Sequence, residues 1–554
     1  MTQTPPVSDA DAGTPAAVDA PPAEQAGQMT HREVLEALTG LLLAMFVAML
    51  SSTVVSNALP TIVSDLGGSQ TGYTWVVVAT MLAMTATTPI WGKLADLVNK
   101  KVLVQSALVI YSIGSLIAGF APSMSVLIGA RVVQGLGVGG LTALVQVVIA
   151  SMVSPRERGR YSGYIGATFA LATVSGPLIG GVLVDTVGWE WCFFAGLPVA
   201  AVAFIVLQRT LHLPVVKREV HIYYLGALLI VAGVSGFLVW VSLGGQENGF
   251  PWASTASYVL VGASAVVLVA AVLVEIYVAR EPVIPMRLFR DRTLSLATVA
   301  SVLIGLAMFG STVYLSLYFQ RAKDLSPTEA GLMSIFMVAG LFTTSLVSGR
   351  VITATGLWKR WLVGGMVVVI GGLALLATID ASTPLWLTGV YTLVLGAGLG
   401  ATMQNLVLAV QNNVAMADMG AASSVVTFFR TLGGSVGIAV LGAVLAHQVS
   451  DAVRQGLTRL LSQNPELANG PRLDSDSIPD MSTLPEPVRA IVESAFGDAT
   501  GHIFWVAVPI AALALVAVLF IKEVPLRTTV LRDDELDPGV AAELGIDQPG
   551  GVAR

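Results

Sequence analysis

The chain has 554 residues; 55% are hydrophobic, only 12% are charged, and the net charge is −6. Soluble domains carry about 25% charged residues, so a soluble globular protein is excluded and a polytopic membrane protein is implied. The single cysteine, Cys192, excludes an internal disulfide framework and any multi-cysteine metal site.

Residues 1–30 are rich in Pro and Ala and carry Asp9, Asp11, Asp19 and Glu24 without an apolar core. They read as a disordered tail, taken here to residue 35, and no signal peptide is expected. Beyond it, fourteen uncharged apolar stretches are each long enough to cross a bilayer as a helix. They centre on 38–60, 73–92, 102–120, 124–150, 161–184, 190–210, 222–243, 256–278, 294–320, 328–349, 361–379, 385–410, 420–447 and 503–521. Basic residues fall in alternate loops: Lys93, Lys100 and Lys101; Arg156, Arg158 and Arg160; Arg209, Lys217 and Arg218; Arg280, Arg287, Arg290 and Arg292; Arg350, Lys359 and Arg360. The other short loops hold only Arg321 and Lys323. That asymmetry predicts both termini in the cytoplasm.

The fifth stretch, 161–184, is laden with small residues. Ala172, Gly176 and Gly180 recur every four positions, with Pro177 and Gly181 beside them. Small residues at that spacing let helix backbones approach closely, and the proline loosens one internal hydrogen bond. The long connection 448–501 carries two apolar stripes, Val449 to Leu461 and Val488 to Phe496. Both suggest short amphipathic helices lying on the outer leaflet or at the protein mouth.

An internal repeat runs eight spans apart. Gly92-Lys-Leu-Ala-Asp96 with Lys100 and Lys101 is echoed by Gly349-Arg-Val-Ile-Thr353 with Lys359 and Arg360. Gly135-Leu-Gly-Val-Gly-Gly140 is echoed by Gly396-Ala-Gly-Leu-Gly-Ala401. The expected fold is therefore all-α. A six-helix half (36–212), an inserted helix pair (213–285) and a second six-helix half (286–521) are followed by a cytoplasmic tail (522–554). Two such halves around a midplane cavity suit alternating access.

Gly92-Lys-Leu-Ala-Asp96, Leu127-Ile-Gly-Ala-Arg131-Val-Val-Gln-Gly135, Ser175-Gly-Pro-Leu-Ile-Gly-Gly181 and Phe428-Phe-Arg-Thr-Leu-Gly-Gly434 together resemble the signatures of the major facilitator superfamily. In particular they are similar to its fourteen-helix drug:proton antiporter branch, the EmrB/QacA type. The resemblance implies a multidrug exporter that works as an antiporter, confers antibiotic resistance and resides in a bacterial plasma membrane. It implies an antiporter helix marked by Gly166, Gly176, Pro177, Gly180 and Gly181. It also implies a cytoplasmic gate at Gly92, Asp96, Lys100 and Lys101, in which Asp96 latches the two halves. The chain departs from the branch at Ser51, where an aspartate is usual, at Asn99 and at Glu190.

Charges within spans are costly to hold and so carry information. Arg131 and Arg430 lie inside spans, and Asp185 and Glu190 flank the outer ends of two others. These four are the candidate proton or charge relay, Asp185 and Glu190 being within reach of Arg131. Glu275 lies near the end of its span, where its length lets it reach water. Ser51, Gln134, Tyr164, Phe169, Tyr318, Gln320, Gln404 and Asn405 are the candidate lining of a greasy substrate cavity. Neither a Walker loop nor a metal-ligand cluster or nucleophile motif is seen. No cofactor, metal or nucleic acid is expected, and the expected partners are an amphipathic small molecule, protons and the lipid bilayer. Export of lipids or anionic metabolites is the alternative, an enzyme or sensor is disfavoured, and a monomer is the expected state.

Overall fold

The computed structural model describes residues 31–67, 70–211, 224–245, 249–279, 281–463 and 485–527. Long helices dominate. They are α1 (His31–Asp65), α2 (Gln70–Leu97), α3 (Lys100–Gly119), α4 (Met124–Met152) and α5 (Pro155–Thr186). Next, α6 (Trp191–Phe194) runs through Ala195 into α7 (Gly196–Thr210), making one span in two pieces. The inserted pair is α8 (Tyr224–Leu243) and α9 (Thr255–Tyr277). Then follow α10 (Arg292–Arg321), α11 (Pro327–Thr355), α12 (Lys359–Leu376), α13 (Leu385–Asn413), α14 (Met419–Gln463) and α15 (Glu486–Leu519). Among the described residues, thirteen spans are long and apolar enough to cross a membrane. The fourteenth, α5, is the least apolar of the long helices because glycine, serine and threonine fill its centre.

Helix starts follow local chemistry. Ser326 and Glu329 satisfy each other's backbone N–H groups ahead of α11, and Asp291 accepts from Leu294 N at 2.8 Å ahead of α10. Pro155 opens α5, where its missing N–H costs nothing. Asn99 accepts from Lys101 N at 2.9 Å as the N-cap of α3. Gly356 ends α11 with φ +75, a left-handed conformation that favours glycine.

The two halves are wired alike. In the first, α1 packs on α5 and α7, α2 on α4, and α3 on α4 and α7. In the second, α10 packs on α14 and α15, α11 on α13, and α12 on α13 and α15. Substituting each helix by its repeat partner turns one pattern into the other. The halves meet where α5 crosses α11 and where α2 crosses α14, and these crossings are also exchanged by the repeat. The pair α8–α9 packs through α8 on α2 and α14.

Three expectations are corrected. Helix α1 starts at His31, so the first half begins inside the span assigned to the tail. The stretch 448–463 continues α14 and 486–501 opens α15, so the two apolar stripes extend spans rather than lie on the surface. A 45-residue helix is about 68 Å long, more than twice a bilayer core. The two extensions pack together where Gly456 meets Ile491. They are tied to the α10–α11 turn by Arg489, which bonds Asp324 at 2.5 Å. Residues 464–484 lie outside the described part. Finally, 522–527 is a bound strap: Trp358 Nε1 donates to Val524 O at 2.9 Å, and Asn412 Nδ2 to Pro525 O at 3.1 Å.

Candidate functional site

The helix crossings bring candidate gate residues together at the end of the bundle that carries the basic loops. Asp96, near the end of α2, reaches the first turn of α14. Gly420 N donates to one carboxylate oxygen at 2.7 Å and Ala421 N to the other at 2.8 Å. A carboxylate on the free N–H groups of a helix start gains charge-assisted bonds and a favourable dipole. The approach depends on Gly92, where a β-carbon would collide with Ser424 and lie 2.7 Å from Gly420 O. The repeat-related crossing is built the same way. Gly349 of α11 lies against Gly159 of α5, with no room for a side chain on either. There Arg156 donates to Thr353 O at 3.1 Å and Ala354 O at 3.2 Å. Lys101 is not part of this contact: it donates to Gln208 O at 2.7 Å, at the end of α7.

Sequence reasoning missed a further cross-half network. Arg158 is buried; it donates to Gln411 Oε1 at 3.0 Å and to the carbonyls of Val153 and Ala150. Gln411 passes the chain on to Ser423 at 2.9 Å, and Arg527 of the strap donates to Gln411 O at 2.8 Å. Arg158 looked like a topological loop charge; it is buried against the end of α4 and Gln411 of α13. Deeper in the bundle, Gln146 of α4 donates to Gln404 of α13 at 3.1 Å, a polar bridge between the halves.

Arg131 lies inside the first half. It is 4% exposed and donates to Val76 O at 3.3 Å and to Gln134 Oε1 at 2.5 Å, and Gln134 donates on to Ser115 at 2.8 Å. Tyr111 belongs to the same cluster. Ser51 borders its hydroxyl without a hydrogen bond of acceptable geometry. The departure from the family pattern at Ser51 thus falls beside the arginine. Glu190 makes no ion pair with Arg131 among the described residues, and the Asp185 side chain lies outside the described groups.

Arg430 differs. It sits in the first third of α14, within the part that crosses the membrane, half-buried, and no hydrogen bond or ion pair holds its guanidinium among the described residues. Among the lining candidates, Gln134, Tyr318 and Asn405 are corrected: all three are buried within the packing of a half. Tyr318 donates to Asp380 O at 2.8 Å and Asn405 to Ala401 O at 2.7 Å. Tyr164 is 42% exposed, Phe169 packs against the core of the first half, and Gln320 donates to Ser316 at 3.2 Å. A recess that sequence reasoning did not find lies between α10, α11 and α13, lined by Thr312, Ser316, Phe319, Met333, Ser334 and Met337.

The glycines of α5 divide by position. A β-carbon on Gly176 would strike the Thr53 side chain of α1, and one on Gly180 would lie 2.9 Å from Val54 O. Thr53 also donates to Ala172 O at 3.2 Å, so the outer half of α5 is bonded to α1. Gly166 leaves room, its nearest contacts across to α11 being 3.5 Å, and Gly181 faces open space. Gly181 is therefore not a close-packing position, contrary to expectation. The Pro177 side chain lies outside the described groups.

Residues 41–438 match the Major Facilitator Superfamily. The chain is 30% identical over 528 residues to the multidrug transporter protein MdtP of Bacillus subtilis, covering 92% of this chain and 96% of that one. It is 32% identical over 497 residues to the efflux pump dotC of the fungus Dothistroma septosporum, covering 89% and 84%. Its fold is similar to that of the proton:xylose symporter XylE, with a TM-score of 0.59 at 12% identity over 89% and 96% of the chains.

Proposed function

The chain belongs to the major facilitator superfamily, and on that premise we propose that it exports hydrophobic and amphipathic small molecules, drugs and antibiotics among them, as a secondary active transporter. The observation that carries the reading is the closed end. Both crossings between the halves are fastened there, by Asp96 on the start of α14 and by Arg156 and Arg158 on α11 and α13. These are few, directional contacts between rigid bundles, the kind that can break together when the halves rock. The printed names of MdtP and dotC support export as the direction. The basic loops support a cytoplasmic assignment for that end; in this reading the protein is in an outward-facing state and works as a monomer in a plasma membrane. Proton exchange drives the cycle in this reading, with Asp185 and Glu190, which flank the outer ends of two spans, as its candidate acids. Binding and rocking, not bond chemistry, are its activity.

Arg430 favours a second statement about the substrate. A guanidinium at mid-span without a partner is costly unless water or an anion reaches it. Neutral, zwitterionic and anionic amphiphiles, anionic lipids or metabolites included, should be preferred over dications. The test is proton-gradient-driven flux into proteoliposomes across a chemically varied panel. Gradient-dependent uptake of several amphiphiles is expected, and uptake that ignores the gradient ends the antiport reading. Arg430→Ala should weaken an acidic antibiotic by tenfold or more relative to a neutral one, about 1.4 kcal/mol. Equal loss of both assigns Arg430 to packing.

A further inference from the structure

Glu275 was expected to reach water along its own length, and it does not. It is 3% exposed, on the one face of α9 that is covered, which also carries Ser257, Ser264 and Ala271. After α9 ends at Tyr277 the chain doubles back, and Val283 and Ile284, both buried, close over the carboxyl. One oxygen accepts from Ile284 N at 3.1 Å. The other, Oε1, is inaccessible to solvent and makes no hydrogen bond of good geometry, although the Val283 backbone N–H also faces the carboxyl.

A carboxylate with one bare oxygen in an apolar pocket is far more costly than a neutral carboxylic acid in the same place. Among the described residues, the charged groups around this corner are Lys93 and Asp96 on α2, Glu281 on the return segment, Arg287 just beyond it and Asp418 just before α14; α8 carries none. Lys93 is the one whose charge acts on Glu275. It is itself buried, and its ammonium is engaged at 2.8 Å by Glu281, whose side chain is 44% exposed. Arg287 is engaged by Asp418 at 2.8 Å. Lys93 thus stands between two carboxyl groups, one dry and one wet. It also directly follows Gly92, where α2 crosses α14, and precedes Asp96 by less than a turn.

We propose that Glu275 is a proton-binding site, occupied while the return segment covers it and emptied when Lys93 turns from Glu281 to its carboxylate. The proton passes between the carboxyl and water at the basic end, and Lys93 stays an ammonium throughout. Which carboxylate holds Lys93 then bears on the α2–α14 crossing, so loading Glu275 is linked to the latch. The site rests on the antiport reading only for its place in the cycle, and it supplies an acid that the first helix lacks.

The test uses the full chain in lipid nanodiscs. Infrared difference spectra against pH should show a protonated-carboxyl band that titrates in the parent and is lost in Glu275→Gln. Thr353→Cys, in a Cys192→Ala background, reports opening of the basic end by its labelling rate. That rate should follow pH in step with the band and become independent of pH in Glu275→Gln. An identical band in both proteins overturns the site. A lost band with unchanged pH-dependent labelling overturns the link to the latch. If Glu275→Gln does not assemble, Lys93→Met decides: the band should titrate at higher pH, and an unshifted titration overturns the proposal. A parent that binds the proton but shows no gradient-driven flux retires the antiport reading and leaves the site standing.

Discussion

At the residue scale, the latch at Asp96 is two charge-assisted bonds from one side chain to one helix start. Asp96→Asn keeps the shape and removes the charge, at a cost of roughly 1.5–3 kcal/mol to the state closed at the basic end. A cysteine reporter placed by Ser334→Cys, in the recess among α10, α11 and α13, should then label more slowly as the halves spend less time in that state. Unchanged labelling would leave Asp96 without a latch role. Gln134 makes a different prediction, because its two bonds hold Arg131 and Ser115 inside one half. Gln134→Leu strands a buried guanidinium, and should lower thermal stability in detergent by about 1–3 kcal/mol. Stability equal to the parent would mean that water replaces the amide.

At the element scale, α5 packs mainly on two neighbours, with two parts of its length. Its inner part crosses α11 at Gly159 and Gly163, and its outer part lies on α1 at Gly176 and Gly180. In lipid the benefit of such contacts is packing rather than expulsion of water. Gly176→Leu should therefore wedge α5 from α1 and abolish flux, while membrane insertion, which follows hydrophobicity, is retained. Gly181→Leu meets open space and should transport at the parental rate. Equal behaviour of the two variants would sink the packing account. The sequence shows the spacing of the glycines but not which of them faces a helix, since a four-residue stripe looks the same against protein and against lipid.

At the scale of the whole molecule, the repeat makes two crossings do one job. The α2–α14 crossing is fastened by Asp96 and the α5–α11 crossing by arginines, with Gln411 linking Arg158 to Ser423. Both act on a single rocking equilibrium, so free-energy effects at the two should add. Gln411→Leu combined with Asp96→Asn should shift the Ser334→Cys labelling equilibrium by the sum of the single shifts. A double variant no worse than the stronger single one would mean that the crossings open separately.

The sequence by itself determined the class, the spans, the paired halves and the inserted hairpin. Hydrocarbon solvent forces each crossing to be a continuous apolar helix, and a duplicated pattern of glycines and charges marks the halves. It also marked Asp96 as a candidate crossing residue, because Asp96 and its repeat partner Thr353 follow glycines that recur at the same place. Only the tertiary structure decided which charges meet. Asp96 finds its partners more than 300 residues away, on backbone groups that no side-chain pattern advertises. Arg158 changes from a loop charge to a buried strut because the end of α4 and Gln411 of α13 close around it. Glu275 changes from a wetted end to a dry carboxyl because the chain after α9 turns back over it. Each is a matter of what covers a group from outside its own helix. Periodicity and hydropathy describe one segment at a time and are blind to that cover.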